Sequence, residues 1–352
     1  MNVSPRIKKI SEILASKSIP SWRLKQVVSG LSKQESWATL PGVPKEVQQA
    51  LEEGMGRQRV STLEPVLTQE ADYAKKVLFR CVEDDSKIEA VALSFHNHTS
   101  LCISSQVGCA FGCSFCATGK IGLKRHLTAD EIADQVAHFM RSGVKVDSVS
   151  FMGMGEPLGN PRIFDAISCI TDELGLSPRR LNVSTIGIIP GIRKLTDLHP
   201  QVNLAFSLHS PYPAEREKLM PIQKLYPFDK VLEAIDLKIA GSKRKVWLAY
   251  LLLKGVNDTP EHAKELAKII KSRPADVNYL YHVNLLPYNE AKNVHDNFKY
   301  SESVHEFERI LANKKISTSF RNSFGRSIDA ACGQLFADYE AKTLKPKSLD
   351  RI

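Results

Sequence analysis

From Leu101 onward the chain alternates between short runs rich in β-branched and aromatic residues and longer stretches with apolar residues at helical spacing. "VDSVSFM" is followed by "PRIFDAISCITDE", "RLNVST" by "GIRKLTDL", and "VNLAFSL" by "FDKVLEAIDLKI". "RKVWLAYLLL" then precedes "PEHAKELAKIIKS", and "LYHVNLLPY" precedes "SESVHEFERILANK". Regular alternation of strand and helix predicts right-handed crossovers and a parallel sheet. About six such units are too few to close an eight-stranded barrel, so an open, partial (βα)6 barrel of the α/β class is expected.

The flanks read differently. Residues 1–75 carry short helical patterns such as "SPRIKKISEILASK" and "PKEVQQALEEGM" broken by Pro and Gly, which predicts a small helical accessory domain. Two β-rich runs around the turn-prone "EDDSK" predict a hairpin connector over 76–98, leading into the barrel at 99–290. The remaining 291–352 read as a C-terminal extension: one strand, a small-residue turn around Cys332, then a polar tail. No internal repeat or low-complexity block is present.

In α/β barrels the chemistry gathers at the carboxyl ends of the strands. Polar residues sit at those places here: "GMGEP" after Met152, Ser184 at the end of "RLNVST", "SLHS" from Ser207, and Asn289 after "LLPY".

Composition adds a class. With 352 residues, 43% hydrophobic and 25% charged, the chain has the profile of a folded globular protein rather than a disordered one. Its longest apolar run, "VWLAYLLL", is far below the ~20 residues of a membrane span, and "MNVSPRIKKI" has no apolar signal segment, so a cytoplasmic protein is expected. The net charge of +9 suits a polyanionic partner met by a folded surface, since no segment is a basic tail.

The sharpest signal is "CISSQVGCAFGCSFCATG", which begins at Cys102 and holds four of the seven cysteines, three of them as C-x3-C-x2-C. An odd, clustered set without an export signal points to metal or thiol chemistry rather than a disulfide framework. A structural zinc site wants four ligands, and Cys109, Cys113 and Cys116 supply three, with His126 ten residues downstream as the nearest fourth. Three thiolates can instead hold three irons of a four-iron, four-sulfur cluster and leave one iron open to a ligand that is not protein. Cys81 and Cys169 lie in apolar surroundings and read as packing residues.

The spacing, the aromatic Phe115 before the last cysteine, and a loop following the first barrel strand resemble the radical S-adenosylmethionine (SAM) superfamily. "GMGEP", with Gly155 and Glu156, resembles that superfamily's SAM-binding GGE motif. Taken with "SPRRLNVSTIGIIPGI", "FSLHSP", "EREKLMPI" and "IDAACGQL", the chain resembles the RlmN/Cfr family of radical SAM ribosomal RNA methyltransferases over nearly its whole length. Within it, "SFMGMGEPLGN", "TIGIIPGI", "PQVNLAFSLHSPY" and "YHVNLLPYN" look more like the Cfr branch, whereas Pro157 is RlmN-like.

The resemblance implies a [4Fe-4S] cluster on Cys109, Cys113 and Cys116, two SAM molecules per turnover, and an external electron donor such as flavodoxin. It implies that Cys332 is methylated first and then carries the methyl carbon to the base, and that Cys102 releases the product by forming a disulfide. SAM contacts are implied for Gly155, Glu156, Ser184, Ser207, His209 and Asn289, and proton transfer near the base for Glu89. The Cfr branch methylates carbon 8 of adenosine 2503 in 23S ribosomal RNA, which would protect ribosomes from drugs bound at the peptidyl transferase centre. The RlmN branch methylates carbon 2 and also tRNA. Extruding a base from its stack favours protein-free or early-assembly RNA as substrate. Arg125, Arg179, Arg180, Arg321 and Arg326 are candidate phosphate contacts. A non-catalytic, zinc-bearing RNA-binding protein is the reading from another class.

Overall fold

The computed structural model describes residues 4–336 apart from 57–58, 292–293, 295–297 and 322, so the polar tail read from 337–352 lies outside it. Three helices come first: α1 (Pro5–Ser16), α2 (Arg23–Leu31) and α3 (Lys45–Met55). Ser4 starts α1 by accepting a 3.2 Å hydrogen bond from Ile7 N, with Pro5 where no N–H is needed. Their apolar faces, including Ile10, Leu14, Val27 and Leu51, form a separate small core. Arg6 fastens this unit to the rest, donating to both carboxylate oxygens of Asp134 at 2.8 and 2.9 Å and to Val60 O at 2.7 Å.

An antiparallel meander follows: β1 (Leu63–Ala71), β2 (Ala74–Cys81), β3 (Lys87–Phe95) and β4 (His98–Cys102). Strand β1 lies in the span expected to be helical; it is an edge strand in which only Leu63 is buried, so no buried face announced it. The β2–β3 hairpin is continuous with the barrel, because β4 pairs on one side with β3 and on the other, in parallel, with β7 (Ser148–Phe151). Between β4 and β7 lie a small two-stranded sheet, β5 (Gln106–Cys109) with β6 (Gly122–His126), the short α4 (Ala117–Ile121) and α5 (Ala129–Arg141). A reciprocal Thr128–Glu131 capping box opens α5.

The chain then runs through α6 (Ile163–Ser168), β8 (Leu181–Thr185), α7 (Ile189–Leu198), β9 (Asn203–Ser207), α8 (Pro213–Leu219) and α9 (Phe228–Ser242). It finishes with β10 (Val246–Leu252), α10 (Pro260–Lys271), β11 (Tyr281–Pro287), α11 (Val304–Asn313) and β12 (Ser317–Phe320). From β4 to β12 each barrel strand pairs in parallel with the next, giving six parallel pairings inside one ten-stranded sheet, the open (βα)6 arrangement expected.

Strand alternation sorts the two faces. Leu101, Val149, Val183, Leu204, Leu248 and Val283 are fully buried in the main core. The opposite face carries Cys102, Ser150 and Asn182 in one register row, and Ser207, Ala249, Asn284 and Ser319 in another. Most of these side chains are half-buried, so the interior is polar and accessible, unlike the branched aliphatic filling of a closed barrel. The segment after β12 runs back to the meander: Phe324 meets Tyr73 and Phe95 edge-to-face, Lys76 Nζ donates to Asp329 O, and Phe336 N donates to Glu89. That segment carries Cys332 across the barrel mouth.

Candidate active site

The cysteine loop leaves β4 at its carboxyl end and is stitched to the end of β7, with Gly153 N donating to Ile103 O at 3.0 Å and Ser105 N to Met154 O at 2.8 Å. Both glycines of "GMGEP" are sterically required. A Cβ on Gly153 would lie 2.7 Å from the Ile103 backbone, and Gly155 combines φ +96° with a would-be Cβ 2.5 Å from Gln106. Gln106 Oε1 in turn accepts from Glu156 N at 2.8 Å, which fixes this turn against the loop.

The charges of Cys116 and Cys109 disfavour ionisation of Cys113, and that of Cys116 disfavours ionisation of Cys109, so the three face one another at close range. Burial is the largest effect: it pushes the Cys109 thiol up to about 12 and Cys113 well above its ordinary value. A bound cation reverses this balance, because it supplies the positive charge that thiolates need. Backbone N–H groups of Phe111 and Glu156 already point at the Cys109 sulfur, the arrangement that stabilises a cluster-bound thiolate. Among the described residues no three His, Cys, Asp or Glu side chains converge on a single-ion site. The set therefore fits a cluster, in which each thiolate takes its own iron, better than one tetrahedral zinc.

Beside the loop, Glu156 is buried and its pKa is raised to about 7 by desolvation. Its carboxylate accepts from Thr185 Oγ1 at 2.7 Å, Ile186 N at 2.9 Å and Leu158 N at 3.1 Å, so in this structure it braces the β7 and β8 ends. The expected SAM-gripping side chain is thus occupied by protein donors. Ser184 and Ser207 are half-buried on the interior face of neighbouring strands.

His209 is buried at φ +58° and its ring meets Phe115 edge-to-face at 5.0 Å. Leu251 N donates to His209 Nδ1 at 3.0 Å, which leaves the proton of the neutral ring on Nε2. Burial, helped by nearby Arg216, lowers its pKa from 6.5 to about 3. Between those values the unfolded chain binds a proton that the folded one does not, so stability falls as pH drops through that window and is flat above it. Asn tolerates the left-handed backbone and keeps an acceptor. Unfolding of His209→Asn in urea should therefore lose a slope of up to about 1.4 kcal/mol per pH unit seen in the parent; equal slopes would refute the assignment.

Arg216 was not anticipated. The sequence shows it between Glu215 and Glu217 on α8 with no sign that it alone is fully buried. Its guanidinium donates to Leu208 O at 3.1 Å, Gln223 Oε1 at 2.7 Å, Ile186 O at 2.8 Å and Ser207 O at 3.2 Å, and lies over the Phe206 ring. No carboxylate pairs with it among the described residues. Desolvation lowers its pKa to about 10, and the neighbouring Cys113 thiolate is the charge that opposes this.

The remaining cysteines complete the site. Cys102 closes β4, its thiol pushed up to about 12 by burial and then by the charge of Cys332, with Arg321 acting in the opposite direction. Cys332 is solvent-exposed, and the protein around it still raises its pKa by desolvation. Both Arg321 and Cys116 act on it electrostatically, so Cys332 sits between the cluster loop and Cys102. Ala117 N donates to Gly333 O at 3.0 Å, tying that segment directly to the residue after Cys116.

Glu89 and Asn289 support this segment. Glu89 is buried, pairs with Lys76 at 2.9 Å and accepts from Phe336 N at 2.9 Å. Asn289 Nδ2 donates to Cys332 O at 3.3 Å, and its Oδ1 accepts from Arg326 Nε at 2.9 Å. Of the candidate phosphate contacts, Arg321 and Arg326 lie at this mouth. Arg125 is committed to Asp84 and Glu131, and Arg179 and Arg180 precede β8 at the opposite end of the barrel. Cys81 and Cys169 are buried in the main core.

An open α/β barrel with three inward thiols at the carboxyl end of its first strand defines a radical SAM protein. Residues 103–268 match the family model described as Radical SAM superfamily. The chain is 44% identical to "Ribosomal RNA large subunit methyltransferase Cfr" of Staphylococcus warneri over 97% of its own length and 99% of that protein. The protein of the same name from Clostridium botulinum (strain Loch Maree / Type A3) is 42% identical, over 94% and 97%. Among solved structures, a radical SAM methyltransferase from Sphaerobacter thermophilus superposes with TM-score 0.85 at 33% identity, covering 96% of this chain and all of that one. The chain belongs to the Cfr family of radical SAM ribosomal RNA methyltransferases, whose cofactors are a [4Fe-4S] cluster and SAM.

Proposed function

We propose that this enzyme methylates carbon 8 of adenosine 2503 in 23S ribosomal RNA through a methyl group carried on Cys332. The observation that carries the route is that the segment of the exposed Cys332 is tied to the cysteine loop, Ala117 N donating to Gly333 O at 3.0 Å, while the charge of Cys332 acts on Cys102 at the end of β4. Adenine carbon 8 is electron-poor, with a C–H bond of little acidity, so displacement of a methyl from a sulfonium is not available to it. Cys109, Cys113 and Cys116 would hold the [4Fe-4S] cluster, which would supply one-electron chemistry to SAM with an electron drawn from a donor such as flavodoxin.

The chain's own residues do the rest. Cys332, reached from solvent, takes a methyl from a first SAM as a thiolate. Arg321 offsets the burial penalty on that thiolate and on Cys102. Once the carbon has joined carbon 8, the ring proton leaves to a base and one electron would return to the cluster. Cys102, as thiolate, then attacks the Cys332 sulfur, the sulfur–carbon bond breaks with its electron pair on carbon, that carbon takes a proton to become the methyl group, and the two cysteines are left as a disulfide. Glu89, from the neighbouring strand, is the acid-base group on this side. Such a substrate places the enzyme in the cytoplasm, and a methyl at carbon 8 would exclude drugs at the peptidyl transferase centre by bulk.

Support for carbon 8 comes from relatives named Cfr and from the Cfr-like strings of the sequence. Mass spectrometry of nuclease-digested 23S RNA from cells with and without the chain is expected to find 8-methyladenosine only when it is present. Finding only 2-methyladenosine, or methylated tRNA in its place, would move the enzyme to the RlmN branch.

A further inference from the structure

A recess reaches the Cys332 carbonyl through two hydrogen bonds, by way of Arg326 and Asn289. Its volume is about 420 Å³, within the ~300–1,000 Å³ of small-ligand sites. Three aromatic rings line it: Tyr300, Phe320 and Phe324. Arg326, Asp72 and Ser323 supply the polar groups. Phe320 ends β12 and Pro287 ends β11, which puts that wall of the recess at the carboxyl rim of the barrel, and Asp72 of the β1–β2 turn supplies another wall.

The lining has the chemistry of a nucleotide site. Tyr300 is 43% exposed, so its ring is accessible to a ligand entering the recess. Phe324 is held from behind by Tyr73 and Phe95, which meet it edge-to-face at centroid distances of 5.7 and 5.1 Å and so fix its plane. Every base presents a π-face that such rings stack on, while a carboxylate accepts from exocyclic amines and a guanidinium pairs with phosphate. The link to the Cys332 backbone is short: Arg326 Nε donates to Asn289 Oδ1 at 2.9 Å and Asn289 Nδ2 to Cys332 O at 3.3 Å. A strand whose reacting base lies over Cys332 therefore puts its neighbour at this recess.

We infer that the recess lined by Tyr300, Phe320, Phe324 and Arg326 holds the nucleobase adjacent to the target adenosine in single-stranded RNA. The inference rests on the RNA substrate argued above. It assigns the arginine to the intervening phosphate and the rings to the flanking base.

The test uses the full-length, cluster-loaded enzyme and 23S RNA fragments with 2-aminopurine at the position before or after the target adenosine. With the parent enzyme, fluorescence should be quenched at one of the two positions. Tyr300→Leu, an exposed site that leaves the fold intact, and Phe324→Leu should abolish that quenching and weaken binding roughly 5- to 150-fold, the range of a lost base–aromatic stack. The salt dependence of binding should be unchanged in both variants, whereas Arg326→Gln should lower its slope by about one. If the parent binds and methylates the RNA without quenching at either position, or if quenching survives in Tyr300→Leu, the recess is not the base site. If the parent neither binds nor methylates the RNA, the substrate reading itself falls and takes this site with it.

Discussion

Replacing Cys102 with alanine is expected to stop turnover with the RNA still covalently attached to the protein. Once the Cys332 methyl carbon has joined the base, sulfur and RNA are linked through it, and release needs a nucleophile that reaches the Cys332 sulfur. Cys102 is the group so placed: it ends β4, and the charge of Cys332 acts directly on it. Alanine keeps the strand and removes only the nucleophile. Denaturing gels with labelled RNA should show a slow-migrating species for Cys102→Ala, absent from the Cys102→Ala/Cys332→Ala double variant. Methylated product should fall below detection in both. Free product made by Cys102→Ala at the parent rate would remove Cys102 from the reaction.

The second large effect is expected at Arg216, and it concerns folding. This side chain is wholly out of water and serves four acceptors at once, three of them the carbonyls of Ile186, Ser207 and Leu208 at or just beyond the carboxyl ends of β8 and β9. Arg216→Leu leaves those acceptors buried and unmatched, at about 1–3 kcal/mol each. Set against a total stability of about 5–15 kcal/mol, the loss removes most of it. Lys carries the charge but one ammonium cannot span four splayed acceptors, so Arg216→Lys should fall between. Urea unfolding monitored by circular dichroism reads the difference. A loss under about 1 kcal/mol in Arg216→Leu would show that water or repacking replaces the guanidinium.

The legibility of this fold differs by element. The strands from β7 to β11 stood out because each buries an apolar row against helices, and such rows leave apolar residues at every second position between helical stretches. Strand β1 did not, since an edge strand with exposed residues has no such row, and its "LEPVLTQEA" even holds a proline tolerated only at an edge or bulge. The small β5–β6 sheet escaped for another reason: its strands are short, β5 is interrupted by Gly108, where a Cβ would lie 1.8 Å from Gly122 O, and β6 opens on Gly122 at φ +74°.

Local spacing by itself determined the three-thiol loop, the strand–helix alternation and the glycine turn after β7, because each depends on residues close together in the chain. Long-range convergence was decided by tertiary structure alone. Asn289 and Glu156 carry side chains of the type expected at a SAM site, yet their hydrogen bonds go to the Cys332 backbone and to the β8 end. Glu89 meets Phe336 across 247 positions. Whether a polar side chain turns to a ligand or to its own protein depends on which donors the fold brings within about 3 Å, and that is a property of packing rather than of spacing.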